Sequence, residues 1–442
     1  MVNWNDKTAR FHPDSALDFL PHDHLRELQL QRLQAIVRLA YGRVPLVRER
    51  MDERGVKPSD IVSLSDISRL PFMQKTDLRD TYPYGLFAAD MSDIVRLHAS
   101  SGTTGKPIVV AYTAEDMEVW KSTVRRALLM FGVRSGDILQ VSFGYGLFTG
   151  GLGLHGGGES LGCTVVPASG GNTERQIMLM KDFGVTAAAC TPSYFIHLIE
   201  CAQKMGIDMK SLPLRFGIFG AEPWSEAMRK FIEDNTNVRA FDIYGLSEIA
   251  GPGVGGECPC RDGIHIFEDH YYPEIVDPET GEPLPDGEEG ELVLTTLSKR
   301  AMPILRYRTH DLTTIVAEPC ACGRTIRRIR RIGRRSDDMF IIRGVNVFPS
   351  QIEAALMNVR EASPNYRIVL DREKDLDTVT VELEIQPKYL SDSVSEIEAV
   401  RRAAREAIAK IVGIRMDVKI VEPNSIARSE GKAKRVLDRR NI

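Results

Sequence analysis

Between residues 137 and 245, short apolar runs alternate with amphipathic stretches. The runs DILQVSF, CTVVPAS, VTAAACT, RFGIFGA and VRAFDIYG are separated by TERQIMLMKDFG, YFIHLIECAQKMG and SEAMRKFIEDN. Apolar runs of strand length, each followed by a segment of helical spacing, predict a mainly parallel sheet covered by helices on both faces. Ligands of such sheets gather at the carboxyl ends of the strands. GAEP (residues 220–223) and YGLSE (residues 244–248) each follow a predicted strand directly.

On either side the pattern changes. Residues 1–90 read as helical, with Leu25, Leu28, Ile36, Val37 and Ala40 at helical spacing between His24 and Tyr41. After Gly251 the chain turns to hairpins: YYPEIVD and GELVLTTL flank DPETGEPLPDGEE, a loop rich in Pro, Gly and acids. The basic run Arg324 to Arg335 reads for the most part as a solvated connector. The remainder reads as a small α-β-β-α-β module. Pro349–Val359 forms a helix opened by its proline, and Arg367–Asp371 a strand. Val379, Val381, Leu383 and Ile385 alternate with polar residues as a half-buried strand. Val394 to Ile411 keeps helical spacing, and MDVKIVE closes the module. The fold class is α/β: a large domain over 1–336, with parallel sheets, covering helices and a β-rich subdomain, and a small mobile α+β lid over 337–442.

At 442 residues the chain exceeds one compact core. A net charge of −4 gives no reason to expect nucleic acid or an anionic membrane as partner. The N-terminus lacks an apolar signal region and no window is long and apolar enough to span a bilayer, so a cytoplasmic enzyme is expected. Of the seven cysteines, Cys163, Cys190 and Cys201 stand singly in apolar segments, as small buried hydrophobes do. The others form two Cys-x-Cys pairs, Cys258/Cys260 and Cys320/Cys322. In a reducing compartment these point to metal rather than to disulfides. With His265 close by, Cys258, His265, Cys320 and Cys322 are the preferred set for a structural zinc, with Cys260 as alternative ligand. Thiols without metal are the plain alternative.

The stretch Ser100, Ser101, Gly102, Thr103, Thr104, Gly105, Lys106 sets hydroxyls and glycines before a lysine. Exposed backbone N–H groups and hydroxyls suit a polyphosphate. The glycine spacing is not that of a P-loop, and Pro107 follows the lysine. By itself the segment also fits a polar turn.

The order of motifs decides between these. SSGTTGKP, GAEP, YGLSE, YRTHDL, RSDDMFIIRG and SEGKAKR follow the order of the acyl-adenylate-forming superfamily, which includes acyl- and aryl-CoA ligases and adenylation domains. GYGLFTGGLGLH, GGNTERQ, EDHYYPEI, RSDDMFIIRGVNVFPSQIE and RSEGKAKRVLDRR resemble the phenylacetate–CoA ligase branch over nearly the whole length.

That resemblance implies an enzyme that activates phenylacetate or a related aryl acid as acyl-AMP and passes it to coenzyme A. Ser100 to Lys106 would wrap the ATP phosphates, with Thr104 also assisting catalysis. Gly220, Ala221, Glu222 and Pro223 would border the adenine and Tyr244 would face it, with Asp242, Gly245 and Ser247 nearby. Glu248 would hold Mg²⁺, Asp311 would accept the ribose hydroxyls, and Arg335 would contact the nucleotide. Lys432 resembles the lid lysine that stabilises charge as the adenylate forms. Asp337 stands at the hinge, and after rotation the loop around Gly344 would line the CoA channel.

Tyr145, Phe148, Gly151 and Leu154 fall where the acyl pocket is expected. Three departures stand out: His310 in YRTHD, Arg334-Arg335 before the hinge, and Leu154 with Gly156-Gly157, the last bearing on the preferred acid. Loading of an acyl-carrier protein and a non-catalytic nucleotide-binding role are the competing functions. The helical N-terminal segment offers a homodimer contact of the kind relatives use.

Overall fold

The computed structural model describes residues 11–99, 107–336, 338–342, 345–373, 376–389, 393–429 and 433–440. The segment 100–106, Asp337, Gly344 and Lys432 therefore lie outside the described residues.

Helix α1 (His22–Arg43) buries Leu25, Leu33, Ile36, Val37 and Ala40 and passes into α2 (Pro45–Glu53), whose proline occupies the first turn. After α3 (Lys75–Asp80) come the antiparallel strands β1 (Ile94–Ala99) and β2 (Val109–Thr113), which enter and leave the 100–106 segment. Helix α4 (Ala114–Phe131) follows. It opens on a capping box in which Thr113 and Asp116 satisfy each other's backbone N–H, and it ends at the left-handed Gly132.

The predicted rhythm folds as expected. Strands β3 (Ile138–Val141), β4 (Thr164–Val166), β5 (Ala187–Cys190), β6 (Phe216–Gly220) and β7 (Arg239–Tyr244) pair in parallel, in the spatial order β7-β6-β5-β3-β4. Helices α5 (Thr149–Leu161), α6 (Thr173–Asp182), α7 (Pro192–Lys204) and α8 (Glu226–Asn235) make the crossovers. Strand β5 is buried at every position and β6 likewise, which is why both read as unbroken apolar runs.

Helix α5 is the surprise. It carries six glycines in thirteen residues, a composition that disfavours a helix. Packing supplies the reason. A Cβ on Gly153 would lie 2.5 Å from the Trp120 ring and one on Gly157 2.2 Å from Val124 Cγ1, so only glycines let α5 lie against α4.

The sheet continues antiparallel through β8 (Gly255–Glu257), β9 (Ile264–Ile266), β10 (Tyr271–Val276), β11 (Glu289–Thr296), β12 (Tyr307–Val316), β13 (Arg328–Ile329) and β14 (Arg334–Arg335), reaching twelve strands among the described residues. The basic run is a correction to the sequence reading, because several of its arginines are structural. Arg324 is buried against Asp18, Arg327 binds Glu268, and the buried Arg328 binds Asp262. Arg331 lies over the Trp224 ring, 4.6 Å from its centroid.

From residue 340 onward a separate apolar core forms. It is built by β15 (Phe340–Ile342), β16 (Val345–Val347), α9 (Pro349–Leu356), β17 (Ala362–Glu373), β18 (Leu376–Ile385), α10 (Val394–Val412), β19 (Asp417–Val421) and β20 (Val436–Asp438). Its four-stranded sheet runs β19-β18-β17-β20. The β15–β16 hairpin and the closing strand β20 add to the predicted α-β-β-α-β order. Strand β20 is recruited by parallel pairing with β17, a partner some seventy positions earlier.

Candidate functional site

Strands β6 and β7 end side by side and deliver two turns to the same edge. The first carries Gly220, Ala221, Glu222 and Pro223; the second carries Tyr244, Gly245, Ser247 and Glu248. Gly245 is sterically required, since a Cβ there would lie 2.3 Å from the Ala250 carbonyl oxygen. The Ser247 and Thr149 hydroxyls meet at 3.1 Å, tying the start of α5 to this turn.

Asp311 enters from β12, in register with Arg335 of β14. Its Oδ2 accepts from the Tyr244 hydroxyl at 2.6 Å and its Oδ1 from Arg335 Nη1 at 2.8 Å. Burial, and then the Asp311 carboxylate, push the Tyr244 phenol well above its usual range, so it stays protonated and donates. Tyr244, Asp311 and Arg335, predicted separately, thus form one cluster. Asp242 lies two residues before Tyr244, accepts from Trp224 Nε1 at 3.1 Å and faces Arg331 at 3.5 Å. Burial raises its carboxyl to about 6, against the pull of Arg331.

Glu248 is buried, and its carboxylate hydrogen-bonds the Tyr307 hydroxyl. Beneath it Lys299 donates to the carbonyl oxygens of Glu248 at 2.8 Å and Ile249 at 3.2 Å. Burial lowers this ammonium to about 8. Lys299 thus holds the turn through its backbone carbonyls, while the Glu248 carboxylate accepts from the Tyr307 hydroxyl. It stands some fifty residues beyond the turn, and nothing in its local sequence separates it from a surface lysine.

Glu222 differs from its neighbours in facing two chain segments. One carboxylate oxygen accepts Ser193 N–H, in the first turn of α7, at 2.8 Å, and the other accepts Ala433 N–H at 2.8 Å. Ala433 directly follows Lys432 in the chain, and its backbone, part of the C-terminal domain, is held at the strand ends.

Near the expected acyl pocket, Tyr145 OH and His155 Nδ1 lie 3.2 Å apart, and His155 Nε2 is 2.9 Å from Glu159. Phe148 is partly exposed at the start of α5. Gly151 passes closely over the Gly144 carbonyl, and Leu154 is fully buried in the main core.

The cysteine prediction converges on one point. Ligand atoms of Cys258, His265, Cys320 and Cys322 all lie within 4.8 Å of one another. Cys258 Sγ and Cys320 Sγ are 3.6 Å apart, and Cys322 Sγ is 3.5 Å from His265 Nε2. Tetrahedral zinc with Zn–S bonds of about 2.3 Å sets S···S edges of about 3.8 Å, so the residues fit that ion. The Ile326 carbonyl lies 3.0 Å from His265 Nδ1, where it accepts that N–H and leaves Nε2 its lone pair for a metal. Cys260 is exposed and stands outside the cluster.

Behind the cluster lies a buried ion network. Arg126 is gripped by Asp18 at 2.6 Å and Asp269 at 3.0 Å, and Arg324 reaches Asp18 at 3.1 Å. His270 joins it: Nε2 lies 3.1 Å from Asp269, and Nδ1 faces Ser298 at 2.7 Å and Arg32 at 3.3 Å. The network assigns a neutral ring with Nε2–H donating to Asp269. Burial pushes this imidazole down to about 4.

Comparison with known proteins follows the same division. The model for AMP-binding enzymes matches residues 27–298 and that for the AMP-binding enzyme C-terminal domain matches residues 344–440. A phenylacetate-coenzyme A ligase of Thermus thermophilus is 50% identical over 438 residues, covering 96% of this chain and 98% of the relative. A crystal structure of 2-hydroxyisobutyryl-CoA ligase in the postadenylation state, complexed with 2-HIB-AMP, superposes with a TM-score of 0.92 at 29% identity over 100% of this chain and 97% of that one. The same ligase in the thioesterification state, with 2-HIB-AMP and CoA, gives 0.70 at 30% identity over 95% and 91%.

His270 yields a pH prediction. Its folded pKa lies below the unfolded value, so between about 6.5 and 4 the unfolded chain binds the extra proton. Its contribution to stability is complete above about 6.5 and is lost as pH falls toward 4. A His270→Gln variant, which keeps the hydrogen-bonding capacity without titrating, is expected to lose stability less steeply over that window, by up to about 1.4 kcal/mol per pH unit. Urea midpoints of both proteins measured across the window test this; parallel curves refute it.

Proposed function

The chain belongs to the AMP-binding enzyme family as an ATP-dependent, AMP-forming aryl-CoA ligase, and from that premise we propose that its acid is phenylacetate or a close aryl acid, converted in two half-reactions at the carboxyl ends of β6 and β7. The observation that carries the site assignment is the Glu222–Ala433 hydrogen bond. It brings the backbone next to Lys432 to the edge where Tyr244, Glu248 and Asp311 gather.

In the first half-reaction a carboxylate oxygen of the acid attacks the α-phosphorus of ATP, the bond to the β-phosphate breaks, and pyrophosphate leaves. Ser100 to Lys106, with Thr104, hold the phosphates. Gly220 to Pro223 and Tyr244 border the adenine, with Asp242, Gly245 and Ser247 shaping the turn. Asp311, oriented by Tyr244 and Arg335, accepts the ribose hydroxyls. Lys432 offsets the charge that develops between carboxylate and α-phosphate. Glu248 offers a hard oxygen to Mg²⁺, which when bound neutralises phosphate charge.

In the second half-reaction the thiol of CoA loses its proton to solvent and attacks the acyl carbon, and the bond to AMP breaks. The unit 1–336 serves as the core and 337–442 as a lid that turns at Asp337, placing Gly344 at the CoA channel. The higher TM-score against the relative's postadenylation state than against its thioesterification state supports a lid held here for the first step. Tyr145, Phe148 and Gly151 border the acid, whereas Leu154, expected beside them, lies behind in the core, and the N-terminal helices provide a homodimer contact. The proposed location is cytoplasmic; among the described residues no helix is long and apolar enough to cross a membrane.

Cys258, His265, Cys320 and Cys322 would hold a structural zinc, which would cross-link the end of β8, β9 and the loop before β13. With four protein ligands such a site would leave no position for substrate.

Pyrophosphate release from Mg-ATP with a panel of aryl acids, with and without CoA, tests the reaction. Release and thioester formation are expected, greatest for arylacetates; no release with any acid refutes the proposal, and release without thioester points to a carrier-protein acceptor. Lys432→Ala should slow adenylation by about 10²-fold or more while sparing thioester formation from supplied aryl-adenylate, and equal losses contradict lid exchange. Metal analysis of purified protein should give close to one equivalent of zinc; less than a tenth refutes the site.

A further inference from the structure

Helix α7 begins beside the nucleotide edge and carries contacts to the lid along its length. Before its last turn Glu200 receives two lid donors: Oε1 accepts from Asn365 Nδ2 at 2.7 Å and Oε2 from Arg428 Nε at 3.2 Å. One turn further, Lys204 Nζ donates to Asn424 Oδ1 at 2.9 Å. In its first turn Ser193 shares the Glu222 carboxylate with Ala433.

Arg428 has a second acid, and the difference between its two partners matters. Glu384, on β18, takes it in a bidentate pair at 2.9 and 2.8 Å and also accepts Ile426 N–H at 3.0 Å. Glu384 is buried within the lid, so that pair travels with the lid. Glu200 belongs to the core, and its contacts to Asn365 and Arg428 exist only while the lid stands as it does here. The guanidinium is therefore already ordered before it meets the core, and little side-chain entropy is lost when it docks. Burial pushes the Glu200 carboxyl up, but His197, Arg428 and Asn365 together outweigh it and hold the group below the usual carboxylate range.

We propose that Glu200 is a positioning residue for adenylation, a core carboxylate that captures the lid through Arg428 and Asn365 and so favours the orientation serving the first half-reaction. The proposal rests on the two-half-reaction reading above. Arg428 and Ala433 flank residues 430–432 in sequence, so Glu200 and Glu222 hold the two ends of the lysine-bearing segment. Because the contact is made in one orientation and lost in the other, it biases a two-state equilibrium without touching substrate.

The test separates the two steps. Glu200→Ala is expected to slow pyrophosphate release about tenfold, a usual size for such a coupling, while thioester formation from supplied aryl-adenylate and CoA stays within about twofold of wild type. Glu200→Gln, nearly isosteric and still able to accept a hydrogen bond, should fall between Glu200→Ala and wild type and guards against a folding defect in the alanine variant. Equal losses in both steps, or an unchanged first step in both variants, overturn the latch. Wild-type protein that releases no pyrophosphate with any aryl acid overturns the enzyme reading itself, and the latch with it.

Discussion

Asp311 is where three parts of the chain are locked together. Tyr244 ends the last parallel strand, Asp311 lies on the antiparallel half of the same sheet, and Arg335 stands just before the proposed hinge. A buried carboxylate is tolerable only when its lone pairs are matched, so the cluster constrains all three segments at once. The turn that carries Ser247 and Glu248 is fixed by the same strand end and braced from below by Lys299. The edge that meets the C-terminal domain, at Glu222, is the neighbouring strand end. Should Asp311 lose either partner, the ends of β6 and β7 and the segment leading to the C-terminal domain would lose their common reference.

Much of this was legible in the sequence, for physical reasons. Fully buried parallel strands leave continuous apolar runs, and β5 and β6 were readable for that reason. The cluster of Cys258, His265, Cys320 and Cys322 was readable because closely spaced thiols and a nearby imidazole have few other uses, although leaving Cys260 outside it needed its exposure. The motif order brought Tyr244, Asp311 and Arg335 into one list but not into one cluster; their meeting depends on sheet pairing between distant strands.

Other features were illegible because their cause is remote. The glycines of α5 argue against a helix until Trp120 and Val124 are known to press on it. The arginines after Cys322 look solvated until Asp18, Glu268 and Asp262 arrive from elsewhere in the chain. Glu222 reads as part of an adenine turn, and its bond to Ala433 spans 211 residues. Leu154, a departure from the resembling branch, lies in the core with α5, so its effect on the acid would pass through the position of that helix.

Everything assigned to this edge serves one step, the activation of the acid as a mixed anhydride with AMP. Supplying the enzyme with aryl acid labelled with oxygen-18 in its carboxylate, together with Mg-ATP and CoA, follows the transferred oxygen directly. One labelled oxygen in AMP is expected for each thioester formed, because the carboxylate oxygen that attacked the α-phosphorus stays with AMP when the thiol displaces it. Label in inorganic phosphate, with ADP as product, would contradict it.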